Sequence, residues 1–294
     1  MADTSGVAQR TADLGASRRT GAGPARPGAG APGSLLGRAA KGVNLLGLLT
    51  IVLLLTIWEL LIRMGLLTFE YIPLPSQIAI ALRQLAAEGN LSFTVAHTLA
   101  AALVGWTGAA LVGIAAGLLL GLVPATWRYS MASVEVLRAL PIVAFVPVVV
   151  LVFGFTSEAE IAVAFYAALW PVLVNTIAGV RGLDQRLIEV GRVLRLSTPA
   201  AILKLRLPAA VPSIVVGLRL GLGLSLVLTI VVEMVGTPVG LGYALIQAQQ
   251  ALRPAQMFGY VVVIGVCGIV LNAVLVGASR LLLRSTMAAA GDAA

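Results

Sequence analysis

The chain has 294 residues, 59% of them hydrophobic and only 11% charged, well under the roughly 25% charge of an ordinary soluble domain. That balance excludes a soluble globular fold, and the single cysteine, Cys267, excludes an intrachain disulfide. A net charge of +8 suits a nucleic-acid binder only if the basic residues cluster for that purpose. They do not, as their placement shows.

Residues 1–33 are rich in Ala, Gly, Ser, Pro and Arg. Such a stretch buries too little surface to fold alone, so 1–37 is expected to be a disordered tail. The first apolar run, about Val43–Ile62, is long enough to cross a bilayer. Residues 63–90 are less apolar and carry Pro73, Pro75 and Ser76. A short amphipathic helix is predicted there, capped by Ser76, with Ile78, Leu82 and Leu85 on one face. It reads as lying at the membrane surface.

The second span is about Val95–Val123, where Gly113, Gly117 and Gly121 recur every fourth residue. Such a stripe lets another helix approach closely. The third, about Val134–Phe153, contains Pro141 and Pro147 and is expected to be kinked or broken. Residues 154–160 read as a turn carrying Glu158 and Glu160. The fourth span is about Ile161–Ile177, interrupted by Pro171, with Asn175 near its end. The fifth is about Ser213–Val235, with Gly217 and Gly221 as a second close-packing face. A less apolar connection, Gly236–Gln256, leads to the sixth, about Met257–Leu275. The membrane-spanning body is thus 38–284, followed by a short tail, 285–294.

Six spans put both termini on one side. With that side cytoplasmic, 17 of the 20 basic residues lie inside, and only Arg63, Arg83 and Arg253 lie outside. This is the asymmetry of the positive-inside rule. The positive charge therefore reports topology, and it favours contact with anionic lipid at the inner surface rather than with nucleic acid.

Between spans four and five lies a basic, partly polar insert, about 184–208, that falls in the cytoplasm. Asp184 is a plausible helix N-cap. Leu187, Ile188, Gly191 and Leu194 share one helical face, and Arg186, Glu189, Arg192 and Arg195 lie largely on the other. The helix is expected to end near Leu196 and Ser197. Thr198 and Pro199 restart a second helix, with Pro at the first helical position, and Pro208 and Pro212 break the chain before span five. A helix pair of this kind suits either a groove on a cytoplasmic partner or the lipid surface.

The insert resembles the cytoplasmic loop of binding-protein-dependent ABC importer permeases. That loop reads Glu-Ala-Ala, three residues, Gly, nine residues, Ile, any residue, Leu-Pro. Glu189 stands at the Glu, Val190 and Gly191 at the two Ala positions, Arg195 at the Gly, and Leu205 at the Ile. Leu207 and Pro208 close the pattern with the spacing kept. The resemblance extends over about Trp58–Leu283, through IPLPSQ at 72–77, LRALPIVAFVPVVVLVFG at 137–154 and VVEMVG ending at Gly236. It is nearest in character to the nitrate/sulfonate/taurine branch.

That resemblance implies an all-α polytopic membrane protein with six transmembrane helices and the type I ABC importer permease fold. It implies a bacterial inner-membrane location, a second permease subunit forming a homodimer, a cytoplasmic ABC ATPase dimer and an extracytoplasmic solute-binding protein. Glu189, Gly191, Arg192, Arg195, Leu207 and Pro208 would form the ATPase-coupling element. No Gly-rich phosphate loop ending in Lys-Ser/Thr occurs. The chain is therefore expected to be a non-catalytic transport subunit, with no cofactor and no metal of its own. A self-sufficient secondary carrier is the competing expectation, although no internal repeat supports it.

Three ionisable residues remain. Glu233, the acid within span five, either shapes a pathway or outer gate or pairs as a clamp with a backbone donor or an external Arg. His97, at the mouth of span two, is an interfacial hydrogen bonder or a proton relay. Arg219 reaches the cytoplasmic headgroups or lines a gate.

Overall fold

The computed structural model describes residues 45–66 and 71–291. The expected tail at 1–37 lies outside them, as do the last residues of the chain. Among the described residues the regular structure is helical throughout. The first described helix is α1 (Leu45–Arg63), continuous and apolar.

The bundle is built on three long helices. These are α3 (Leu91–Leu122), α6 (Ser157–Arg181) and α9 (Leu207–Val235). α6 packs against both of the others. Small residues set these distances. A Cβ on Gly113 would meet Val172 Cγ1 at 2.9 Å, one on Gly117 would meet Thr176 Cβ at 2.6 Å, and one on Gly121 would meet Val180 Cβ at 3.0 Å. From the other side, Cβ atoms on Gly217 and Gly221 would meet Asn175 Cβ at 2.9 Å and the Ala168 carbonyl at 3.1 Å. Dispersion contacts over such short separations hold helices together where lipid removes the hydrophobic drive.

The registers fix directions. Successive glycines of α3 meet successively later residues of α6, so the two run parallel, and α9 runs antiparallel to them. Cross-links to backbone carbonyls reinforce this: Trp106 Nε1 donates to Leu218 O at 2.9 Å and Ser225 Oγ to Ala102 O at 2.6 Å.

Parallel α3 and α6 require residues 123–156 to return the chain from one end of the bundle to the other. They do so as α4 (Pro124–Ala139) and α5 (Ile142–Phe153), bent by 84° at Leu140–Pro141. The break falls at Pro141, while Pro147 is carried inside α5. Two shorter helices, α2 (Pro75–Ala87) and α10 (Leu241–Gln250), pack against α11 (Pro254–Gly291). Among the described residues five helices are long and apolar enough to cross a membrane, or six if the bent α4–α5 pair is one span.

Several sequence expectations change here. Ser76 does not cap α2: its N–H and hydroxyl both donate to Glu59, at 3.1 and 2.8 Å, while Gln77 accepts from the Leu74 N–H. Glu158 and Glu160 belong to the first turn of α6, not to a loop. Pro171 sits inside α6, and Asn175 Nδ2 donates to its carbonyl at 2.8 Å. Pro208 and Pro212 do not break the chain. The helix runs on from α8 (Thr198–Ala201) through one π-helical turn, Ile202–Arg206, into α9. Pro208 has no N–H to return to Lys204, so the ladder slips by one residue and Leu207 N–H bonds Ile202 O instead. α11 extends well past the expected end of span six, through Gly291.

Candidate functional site

Two polar clusters occupy opposite ends of the α3–α6–α9 bundle. The first is the insert. Its helix α7 (Gln185–Val193) starts at Asp184, whose carboxylate accepts from Arg186 N–H at 3.0 Å. It ends four residues earlier than Ser197, because the chain reverses at once. Arg195 takes φ +49, the left-handed region. Its N–H bonds Arg192 O at 3.0 Å, and Leu196 N–H bonds Gly191 O at 3.0 Å. That pair of bonds is a Schellman closure with Arg195 at the position that usually favours Gly. The family's Gly thus corresponds to a real conformational demand, which Arg meets at a cost of about 1–2 kcal/mol.

Gly191 is buried, and a Cβ there would meet Leu205 Cδ1 at 2.9 Å, so α7 folds closely onto the π-helical turn. Between them lies a cleft of about 320 Å³ lined by Ile188, Arg192, Leu196 and Ile202. Outward, the insert presents Val190, Val193, Leu194 and Leu203, all exposed, with Val193 82% so. Glu189, Arg192 and Arg195 are exposed around them; Pro208 is exposed and Leu207 half-buried. An apolar centre ringed by charge is the composition of a protein interface.

The second cluster lies at the far end. Glu233 is fully buried in the last turns of α9. Its Oε1 accepts from the Thr98 hydroxyl at 2.7 Å and its Oε2 from Gly242 N–H at 2.8 Å. Thr98 in turn accepts from Leu241 N–H at 2.9 Å. Gly240, at φ +107, wraps so tightly over the carboxylate that a side chain there would collide with it. The segment from Gly236 to α10 is therefore latched to α3 and α9 through one acid. Beside it His97 Nε2 lies 3.1 Å from Oε2 of Glu160, another fully buried acid.

His97 and one oxygen each of Glu160 and Glu233 stand within 4.8 Å of one another, a donor set that a divalent cation could share. Glu160 shows in the sequence only as one of two acids in a turn, and Thr98 does not stand out. The signal for a buried Glu160 would have been its place directly before a long apolar run.

Arg219, in mid-α9, donates from Nε to Asn272 Oδ1 of α11 at 2.7 Å. It borders a cleft of about 430 Å³ between the two helices.

Residues 109–287 match the family described as binding-protein-dependent transport system inner membrane component. Among similar curated proteins is a permease named for aliphatic sulfonates transport, SsuC of Bacillus subtilis (strain 168), 31% identical over 76% of this chain and 80% of that protein. Others are the nitrate import permease protein NrtB of Leptolyngbya laminosa, 32% identical over 63% of this chain and 66% of its own length, and the bicarbonate transport system permease protein CmpB of Synechococcus elongatus, 33% identical over 62% and 66%. Among solved structures, an inward-facing crystal form of the MetNI methionine ABC transporter superposes with a TM-score of 0.55. It is 20% identical and covers 68% of this chain and 97% of that one, a likeness of fold.

Proposed function

The chain belongs to the binding-protein-dependent transport system inner membrane component family, and as a non-catalytic permease subunit of an ABC importer for a small solute, we propose, it moves a small anion inward under the drive of a separate ATPase. The observation that carries the drive is the insert: an exposed apolar centre ringed by charge, on a helix pair whose second helix, α8, runs on through the π-helical turn into α9. Motion imposed on α7 and α8 passes directly into α9, and through its glycine contacts into α6. A cytoplasmic ATPase dimer supplies that motion, with Glu189, Arg192 and Arg195 at the rim of the contact.

The anionic cargo rests on the relatives named for aliphatic sulfonates, nitrate and bicarbonate. Six crossings are the count that suits the return of the chain between parallel α3 and α6. With both termini cytoplasmic, the Glu233 latch faces outward, where an extracytoplasmic binding protein delivers solute. Glu233 then holds the outer gate segment rather than meeting the cargo, since a carboxylate repels an anion. A second copy of the chain completes the pathway.

Purification of the permease with its ATPase tests the drive. Wild type should retain the ATPase, and Val193→Glu should lose it while still inserting in the membrane. Equal ATPase yield from both would reject the insert as the coupling surface.

A further inference from the structure

Arg219 sits where a charge needs an explanation. It lies 16 residues before Val235, about 24 Å of helix from that end at 1.5 Å per residue, inside one of the long apolar spans. A guanidinium stays protonated at any ordinary pH, and charges in such spans face protein or water rather than lipid tails. Among the described residues no carboxylate pairs with it: the ion pairs are Arg63–Glu59 and His97–Glu160.

Its contact with Asn272 decides what the cleft can bind. Nε can only donate, so Asn272 offers its oxygen there, at 2.7 Å. That contact takes one of the two lone pairs of the Asn oxygen and leaves its Nδ2 as a donor. The two Nη groups of Arg219 are likewise unspent. Beyond that oxygen's second lone pair, the polar atoms these two side chains leave available are N–H donors, one set permanently charged. The other walls are apolar, from Leu222, Leu226 and Leu271. Gly223 and Gly268 keep the space open: a Cβ on Gly223 would meet nothing within 4 Å.

We propose that this α9–α11 cleft is an oxyanion site, in which the fork of Arg219 and the amide of Asn272 hold two or more oxygens of a small anionic group. A planar guanidinium matches such a group in bidentate fashion, and apolar walls strengthen the attraction by lowering the local dielectric. A cation is repelled by the guanidinium, which offers no acceptor. Two sources carry this chemistry near the inner end of the span. One is the transported solute, an assignment that rests on the anion-importer reading above. The other is the phosphate of a lipid headgroup, which basic pockets between membrane helices also hold.

The test uses cells carrying Arg219→Gln, Arg219→Lys or Asn272→Ala in the otherwise intact importer, beside a strain lacking the gene. Uptake of nitrate, bicarbonate and methanesulfonate is measured, together with the amount of assembled complex and the phospholipid retained through purification. For whichever anion wild type takes up, Arg219→Gln should lower uptake at least tenfold at equal complex yield. Arg219→Lys should be intermediate, and Asn272→Ala, which leaves the cation in place, several-fold low. Unchanged uptake with loss of retained phospholipid in Arg219→Gln assigns the site to a headgroup. Unchanged uptake and unchanged phospholipid in both Arg219→Gln and Asn272→Ala overturns the oxyanion site. Wild-type uptake of all three anions no greater than in the deletion strain removes the anion-cargo reading instead, and the phospholipid measurement still decides the site.

Discussion

Replacing Arg195 by Gly should make the reversal after α7 more stable, not less. Arg195 holds φ +49, which costs a non-glycine residue about 1–2 kcal/mol through crowding of Cβ against the carbonyl. Glycine removes that cost but loses more backbone freedom on ordering, returning about 0.5–1 kcal/mol. The net gain is about 0–1.5 kcal/mol, centred near 0.75, which is a few-fold shift in the opening equilibrium of the turn. Amide hydrogen exchange reads that equilibrium directly. The amides to watch are Arg195 and Leu196, bonded to Arg192 O and Gly191 O. In the Arg195→Gly protein, a peptide spanning these residues should exchange a few-fold more slowly. Arg195→Val should do the opposite, since a β-branched residue tolerates the left-handed region worst. Exchange in Arg195→Gly as fast as in wild type, or faster, would refute the Schellman geometry and with it the explanation of why the family places Gly there.

The remaining predictions concern packing, the latch and docking. Thr98→Val should leave Leu241 N–H and one Glu233 oxygen without their partner. It should destabilise by about 1–3 kcal/mol, seen as a lower thermal midpoint and faster proteolysis within 236–242. Gly117→Leu places atoms where Thr176 Cβ already lies 2.6 Å from a modest Cβ, so the yield of folded protein should fall sharply while Gly223→Ala, which meets nothing, stays near wild type. Glu189→Lys alters an exposed residue, so thermal stability should hold while ATPase co-purification weakens severalfold; an unchanged complex yield would remove Glu189 from the docking rim.

Spans, insert and glycine spacing were legible because each is a local pattern in an apolar chain. Length and hydropathy locate a span, and a stripe of Gly113, Gly117 and Gly121 marks one helix face. Which helix that face meets was not legible: α6 carries matching residues at Val172, Thr176 and Val180, but nothing in their spacing announces it. Prolines misled at Pro208 and Pro212. A π-helical turn absorbs Pro208's missing donor, and whether the ladder slips or breaks depends on tertiary support that a one-dimensional pattern does not contain.

The Glu233 cluster was half visible. Glu233 stands out as an acid within an apolar span. Its partners Thr98 and Gly242 lie 135 and 9 residues away, joined only when α3 and α9 pack. Arg195 was visible as a departure from the family's Gly, while the left-handed turn that gives the departure meaning belongs to the folded backbone.

The side of the membrane on which the insert lies, and what covers it, can be read in one labelling measurement. Val193→Cys places a thiol at an exposed position of α7, against a native Cys267 that is buried. A membrane-impermeant maleimide should modify it in inverted vesicles stripped of the ATPase, fail to do so when the ATPase is bound, and leave it untouched in intact spheroplasts. Modification from outside the spheroplasts, or equal modification with and without the ATPase, would contradict the insert as the point where a cytoplasmic motor drives the membrane helices.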